Sequence, residues 1–228
     1  MKQTTIRILL LGWLLITPAM ANDIYIQQSG DNLDLDITQD GQNNVVGTSG
    51  TAVSLTGDSM TLAITQTGDA NVISAVINGD TYTGTINLTG GMNTVDLTCA
   101  TSNCDNVTMT LNVTGDSADV TVNLGSTADA SDFTGTIDIT SAATETFTLT
   151  ANGTNATVDI DITNTLGTVG NTATYSITGD GDVNGHSLTH SHTGDGGIIN
   201  ITQSGINDNV INLTTSGDNH TIDITQTD

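Results

Sequence analysis

Basic residues are almost absent from this 228-residue sequence. Lys2 and Arg7 are the only two, against 25 acidic residues, and the formal net charge is −23. Beyond residue 7 the chain therefore has no cation that could neutralise phosphates. This excludes nucleic-acid binding and electrostatic attachment to anionic membrane surfaces. It also excludes a lysine or arginine clamp on a nucleotide.

Proline, tryptophan and aromatic residues in general are also scarce. The single proline, Pro18, and the single tryptophan, Trp13, both lie near the N-terminus, and aromatic residues make up 3% of the chain. The rest is rich in threonine, isoleucine and valine, which favour strands, and in glycine, asparagine and aspartate, which favour turns. This composition predicts an all-β protein with many tight turns.

The first 21 residues differ from all that follow. A basic start is followed by an apolar run over 8–16 and by the small residues of Ala19-Met20-Ala21. This order is typical of a secretory signal peptide over 1–21, and the apolar run is too short to span a bilayer. A retained N-terminal anchor is the alternative. We therefore expect an exported chain that begins at about Asn22, has no membrane insertion and is secreted to a compartment that permits disulfides.

Residues 22–228 repeat with a short period. Gly30 and Gly41 are eleven residues apart, and glycines at 57, 68, 79 and 90 keep the same step. Before the glycine, apolar residues alternate with threonine, aspartate or asparagine, as in LAITQTG over 62–68. Alternation places the apolar residues on one face of a strand, and the glycine centres the turn that follows.

A single arm of this kind cannot bury its apolar face, whereas two arms form one rung of about 22 residues that can stack on the next. We therefore predict one all-β domain over 22–228. It is a β-solenoid of strand–turn–strand rungs, about 9 in number, with two facing parallel sheets. Its first rung (24–45) and last rung (199–226) present open sheet edges.

Glutamine and asparagine recur at inward positions beside the turns. In successive rungs such amides can hydrogen-bond along the column, which satisfies polar groups that are costly to bury alone. The predicted amide ladder comprises Gln28, Asn32, Gln39, Asn44, Gln66, Asn71, Gln203, Asn209, Asn219 and Gln226. The predicted turn glycines are Gly30, Gly41, Gly68, Gly205 and Gly217.

These residues resemble the curlin repeat, in which a glycine lies two residues after a glutamine and an asparagine follows. The resemblance is carried by Gln39-x4-Asn44, Gln66-x4-Asn71, Gln28-Ser29-Gly30-Asp31-Asn32 and Gln203-Ser204-Gly205. Across 80–198 the glutamine position holds other residues, namely Leu88, Val113, Ala151 and Gly179. Curlins are subunits of curli, the amyloid fibres that bacteria assemble outside the cell. The resemblance implies end-to-end stacking of β-solenoids, a dedicated outer-membrane secretion pore, a surface nucleator, and roles in biofilm and cell adhesion.

Cys99 and Cys104 are the only cysteines. Aligned to the repeat, they replace the glutamine and the asparagine on either side of one turn. This predicts a short structural disulfide, and two free buried thiols are the alternative. Two ligands at this spacing do not make a metal site.

Three of the four histidines, His186, His190 and His192, share one strand face by their spacing. They are weak candidates for a zinc or copper site, and we favour a polar, pH-sensitive variant of the repeat face. Gly-Asp segments at 179–182 and 194–197 lack the periodic pattern of calcium-binding turns. We therefore predict no cofactor beyond non-specific screening of the acidic surface by Ca²⁺.

No nucleophile elbow or paired-carboxylate motif stands out, so we predict that the protein is not an enzyme. The predicted function is a structural subunit that polymerises with itself into extracellular curli-like amyloid fibres at the cell surface. One alternative is a non-polymerising secreted binding module, such as an adhesin or an ice-binding protein, although the Thr-x-Thr pairs look scattered and share outward positions with aspartate. Another alternative is a minor or nucleator subunit of a curli-like system.

Overall fold

A computed structural model describes residues 23–41, 43–47, 53–99, 105–124, 130–142, 145–164, 171–178, 186–204 and 209–227. They form strands and turns, and none of these residues belongs to a helix that could cross a membrane. The strands are β1 Asp23–Ile24, β2 Gln27–Ser29, β3 Asp34–Asp40, β4 Val45–Val46, β5 Val53–Thr56, β6 Met60–Thr67, β7 Ala70–Asn78, β8 Tyr82–Cys99, β9 Thr108–Leu124, β10 Ala130–Ser131, β11 Thr134–Ser141, β12 Glu145–Thr154, β13 Thr157–Asn164, β14 Thr172–Thr178, β15 Ser187–Thr193, β16 Ile198–Ser204, β17 Val210–Ser216 and β18 Thr221–Thr227.

Every described strand pair is parallel. The two residues of β10 pair with the end of β12, and all other pairs form two stacks that we call ladder A and ladder B. Ladder A consists of β3, β6, the first half of β8, the first half of β9, β11, β13, β15 and β17. Ladder B consists of β1 with β2, β4 with β5, β7, the second halves of β8 and β9, β12, β14, β16 and β18. The chain alternates between the ladders, so it winds as a coil.

This architecture confirms the predicted fold class, a β-solenoid of stacked parallel strands. The register gives the length of each turn of the coil. Gln66 lies 27 residues after its stacked partner Gln39, Asn93 lies 22 after Asn71, and one turn from Ala156 to His186 takes 30. Most turns are longer than the predicted 22 residues. The coil makes about seven turns, which correspond to the seven register steps between the eight strands of ladder A.

The core lies between the two ladders, where alternate side chains point inward. On ladder A one inward column is entirely aliphatic from Ile37 to Ile160, and on ladder B the facing column runs from Val46 to Phe147. All these side chains belong to one buried cluster. Removal of this apolar surface from water is the main stabilising term of the coil.

Glycine occupies the corners because successive turns approach there too closely for a side chain. A Cβ on Gly68 would overlap the carbonyl oxygen of Gly41, and a Cβ on Gly90 would overlap that of Gly68. The opposite corner repeats the contact, with Gly57 over Gly30 and Gly79 over Gly57. The eleven-residue glycine step of the sequence is thus the alternation of two glycine corners.

Candidate functional site

An amide ladder lies inside the first turns, at the corner formed by Gly41, Gly68 and Gly90. Nε2 of Gln66 donates to Oε1 of Gln39 at 2.6 Å, and both side chains are buried. Beside them, Nδ2 of Asn44 donates to Oδ1 of Asn71 at 3.4 Å, and Nδ2 of Asn71 donates to Oδ1 of Asn93 at 2.8 Å. An amide can both donate and accept, so each rung supplies what the next one needs.

Asn93 completes this ladder, although it is not among the predicted ladder residues. A signal for it exists in the sequence, because Asn44, Asn71 and Asn93 all lie three residues after a corner glycine. Asn32 and Asn219 lie two residues after theirs, which is the opposite strand parity. The structure places both on the exposed outside of a turn, with φ of 61° and 62°.

The remaining predicted amides are spread over other contacts. Gln28 is half-buried and pairs in register with Leu55 rather than with another amide. Gln203 and Gln226 are register partners, yet each donates to a backbone carbonyl, that of His186 at 2.9 Å and that of Asn209 at 3.0 Å.

The column of Gln39 and Gln66 changes character along the coil. Leu88, Val113, Ile139 and Ile162 follow in register, and all are buried. The next member is His192. The degenerate middle of the sequence therefore keeps the rung and replaces the amide with an aliphatic side chain.

Of the predicted turn glycines, three have a positive φ: Gly30 at 132°, Gly41 at 146° and Gly217 at 128°. Gly68 fulfils a packing requirement instead, as described above. Gly205 lies outside the described residues.

His190 and His192 form a buried polar cluster with Tyr175 near the C-terminal end of the coil, and His220 lies beside it. His186 lies four residues earlier on the same strand face, where its Nδ1 accepts the backbone amide of Ala156 at 3.2 Å. His186, His190 and His192 are each at most 1% exposed. The His190 ring lies 6.0 Å from that of His192, which in turn lies 5.2 Å from the ring of His220. Tyr175 Oη is 2.9 Å from His190 Nδ1.

Burial controls the protonation of this cluster. Loss of solvation, together with the neighbouring His192, lowers the pKa of His190 to about 4. Loss of solvation, together with His220, lowers the pKa of His192 to about 4. Both imidazoles are therefore neutral at pH 7, and Asn171 lies 3.3 Å from His192 Nε2.

An inward carboxyl continues this network. Asn171 accepts a hydrogen bond from Nδ2 of Asn164 at 3.0 Å, and Asn164 also donates to Glu145 at 3.4 Å. Glu145 is buried, and desolvation raises the pKa of its carboxyl. Within the part of the chain that the structure describes, no group of three or more His, Cys, Asp or Glu side chains is arranged to hold a metal.

Several aspartates accept backbone hydrogen bonds from the next turn at the corner formed by Gly30, Gly57 and Gly79. The carboxylate of Asp31 accepts the backbone amide of Asp58 at 3.0 Å, and that of Asp58 accepts the amide of Asp80 at 3.0 Å. In segment 194–197, Asp195 accepts the amide of Asp218 at 2.8 Å in the same manner. Segment 179–182 lies outside the described residues.

Cys99 is buried and disulfide-bonded. It stands in the ladder B column of Gln28, in register with Ile77 and Leu124. Its predicted partner, Cys104, lies outside the described residues, so the pairing stays a prediction.

Threonines share columns on the outer surface of ladder A. Thr108 pairs in register with Thr134, and Thr110 with Thr136, so these two pairs are adjacent rather than scattered. A further series of alternating threonines, Thr146, Thr148 and Thr150 of β12, lies on ladder B.

The C-terminal edge of the coil is unpaired among the described strands. There β17 pairs only with β15, and β18 pairs only with β16. Ile222 and Ile224 of β18 stand in the inward columns but are 43% and 45% exposed, because no further described rung covers them. Ile201, one rung earlier in the column of Ile224, is 2% exposed.

The N-terminal edge has a similar arrangement. There β3 pairs only with β6 among the described strands, β1 with β4, and β2 with β5. Ile24, Ile26 and Leu35 are half-buried against the core. Both ends therefore combine unpaired backbone groups with inward side chains that the interior of the coil would cover.

No protein-family model, no curated protein and no solved structure matches this chain. The resemblance to the curlin repeat rests on the residues quoted above.

Proposed function

We propose that this protein is a structural subunit of extracellular curli-like amyloid fibres and polymerises end to end. The observation that carries the proposal is the C-terminal edge. There β17 and β18 present backbone groups that no other described strand pairs, together with the exposed side chains of Ile222 and Ile224. An open parallel edge with apolar side chains is a template for further strands.

The columns support a second copy as the partner. Ile222, Ile224 and Gln226 on the last rung of ladder B repeat the Ile24, Ile26, Gln28 order of the first rung in the same columns. Contact between copies would thus reproduce contacts that already hold the coil together. By the same resemblance we propose export through an outer-membrane pore, nucleation at the cell surface, and a role in biofilm matrix and cell adhesion.

The direct test is an assembly assay on the chain from Asn22. The denatured protein is diluted into buffer and followed by thioflavin T fluorescence, electron microscopy and fibre diffraction. We expect unbranched, dye-positive fibres with a reflection near 4.7–4.8 Å. A stable, soluble β-rich monomer at all concentrations would contradict the proposal and favour a non-polymerising binding module.

A pair of variants on β18 tests whether the edge is the growth surface. Ile224→Asp places a charge in the inward column, whereas Thr225→Asp places the same charge on the outer surface of the same strand. We expect Ile224→Asp to stop elongation and Thr225→Asp to slow it only slightly. Equal effects would contradict growth at this edge. Ile201 is unsuitable for this test because it is buried, so a charge there would disturb the fold itself.

A further inference from the structure

The two ladders contain different numbers of described strands. Ladder B has nine levels, beginning with β1–β2 and ending with β18, whereas ladder A has eight, from β3 to β17. Each level adds one strand spacing of about 4.8 Å. If a second copy is placed nine levels further along the axis, ladder B continues without a break. Ladder A has only eight levels, so one of its levels is then left empty.

Stacking of two copies with all strands in place would leave a gap. If the β1–β2 level of one copy lay on β18 of another, its β3 would lie two strand spacings, roughly 9.6 Å, from β17. The half-buried side chains of Ile211, Leu213 and Leu35 would border this gap. Two rows of backbone N–H and C=O groups would also stay unpaired beside the core, which is unfavourable.

One level of ladder B must move aside if both ladders are to continue. The level formed by β1–β2 is held more weakly than the level formed by β18. It pairs with its neighbours through two residues and three residues, interrupted at residues 25–26. At the other end β18 pairs with β16 through seven consecutive residues. The inward side chains of the first level, Ile24, Ile26 and Gln28, are only half-buried.

We propose that β1–β2 is displaced when a second copy docks, so that β3 pairs with β17 and β4–β5 pairs with β18. This inference rests on the proposed function and specifies the contact through which copies join. Leu35 would then stand over Ile211 and Ile37 over Leu213 on ladder A. On ladder B, Val46 would stand over Ile222.

The corner residues also fit this register. Gly41 would stand over Gly217 in the same column in which Gly68 stands over Gly41. Leu55 of β5 would cover Gln226. The folded N-terminal level therefore acts as a cover that competes with incoming copies for β4–β5.

A reversible cross-link tests the displacement in the full chain. Gln27→Cys with Ser54→Cys joins β2 to β5 at a register pair, and Thr38→Cys with Thr65→Cys joins β3 to β6 in the same way. Paired Cα atoms of neighbouring strands lie within the range that a disulfide bridges. We expect the oxidised β2–β5 protein to stop elongating seeded fibres and to resume after reduction, while the β3–β6 control elongates in both states.

A second pair of variants reports on the same step without a cross-link. Ile24→Ser with Ile26→Ser weakens the packing of β1–β2, and we expect a shorter lag and faster elongation than for the unmodified chain. Thr61→Ser with Thr65→Ser, on the outer surface of β6, is the control and should leave both unchanged.

The outcomes separate this inference from the proposed function. If the oxidised β2–β5 protein elongates as fast as its reduced form, or if the Ile24→Ser, Ile26→Ser variant elongates more slowly, displacement is wrong although fibres still form. If no variant and no unmodified chain forms fibres, end-to-end assembly itself is wrong.

Discussion

The two ends of the coil fill the same inward columns with different chemistry. Near the N-terminus these columns hold Gln39 and Gln66 beside an asparagine ladder. Near the C-terminus the same columns hold His192 and His220. The amides bond to one another along the coil, although Oδ1 of Asn44 and Oε1 of Gln66 have no partner among the described residues. Nδ1 of His192 and both ring nitrogens of His220 likewise have none there.

The difference teaches that one backbone position can accept either an amide that bonds to its stacked neighbour or a titratable imidazole. An amide ladder carries its own donors and acceptors and has no charge at any pH of interest. A buried imidazole is stable only while it is neutral. We therefore expect the N-terminal turns to be insensitive to pH and the C-terminal turns to depend on it.

The largest effect is expected from a methyl group at the N-terminal corner. Gly68→Ala places Cβ against the backbone carbonyl of Gly41, which cannot move without shifting a whole rung. We expect a loss of at least about 3 kcal/mol in the free energy of unfolding, measured by urea denaturation of the soluble chain.

A matched substitution at the other end should be milder. At Gly197 a Cβ would meet only ring atoms, at 2.7 Å from His220 and 2.9 Å from His192, and side chains can rotate away. We expect Gly197→Ala to cost about 1 kcal/mol. An equal cost at both positions would mean that the corners are alike.

Acid should unfold the C-terminal turns before the N-terminal ones. The pKa values of His190 and His192 lie near 4 in the folded chain and near 6.5 when exposed. The unfolded chain therefore binds more protons below pH 6.5, and stability that is complete above this pH is lost as the pH falls towards 4. The slope is at most about 1.4 kcal/mol per pH unit for each histidine.

Hydrogen exchange resolved by segment measures this difference. Between pH 7.5 and pH 5, after correction for intrinsic exchange, we expect protection to fall in β15 and to persist in β6. Tyr175 and His220 also face the cluster, and burial raises the pKa of the Tyr175 hydroxyl, so it stays neutral over this range. Burial also raises the pKa of Glu145, which opposes the effect. In His190→Leu with His192→Gln the loss of protection in β15 between pH 7.5 and pH 5 should disappear. Persistence of the dependence would assign it to other groups.

The smallest net effect is expected from a double variant that tests whether the amides are needed as a pair. Gln66→Leu removes the donor to Gln39 in a buried place, and we expect a loss of about 1–3 kcal/mol in the free energy of unfolding. The double variant Gln39→Leu with Gln66→Leu should lie close to the unmodified chain, because Leu88 already fills the next position of this column. Additive losses in the double variant would contradict a coupled ladder.

Alternation and glycine spacing were enough to predict the solenoid, since both record the strand period directly. They were not enough to predict turn length, because residues inserted at a corner leave the alternation intact, as between Thr157 and Ser187. The glutamines Gln39 and Gln66 lie in register and bond to each other, because equal residues stack there. Asn32 was predicted to face inward because it is an asparagine beside a turn. It lies two residues after its glycine rather than three, so its side chain is on the outer side. The contacts among histidine rings depend on register across three turns, which no local pattern reveals.

One consequence follows from the parallel register of every described strand. A coil wound from parallel strands has a direction, and its two edges expose N–H and C=O groups of different residues as well as different side chains. Polymers of such a coil would be polar filaments, in which every subunit has the same orientation. The two tips of each polymer would then add subunits at unequal rates, so growth seen under a microscope would advance mainly from one tip.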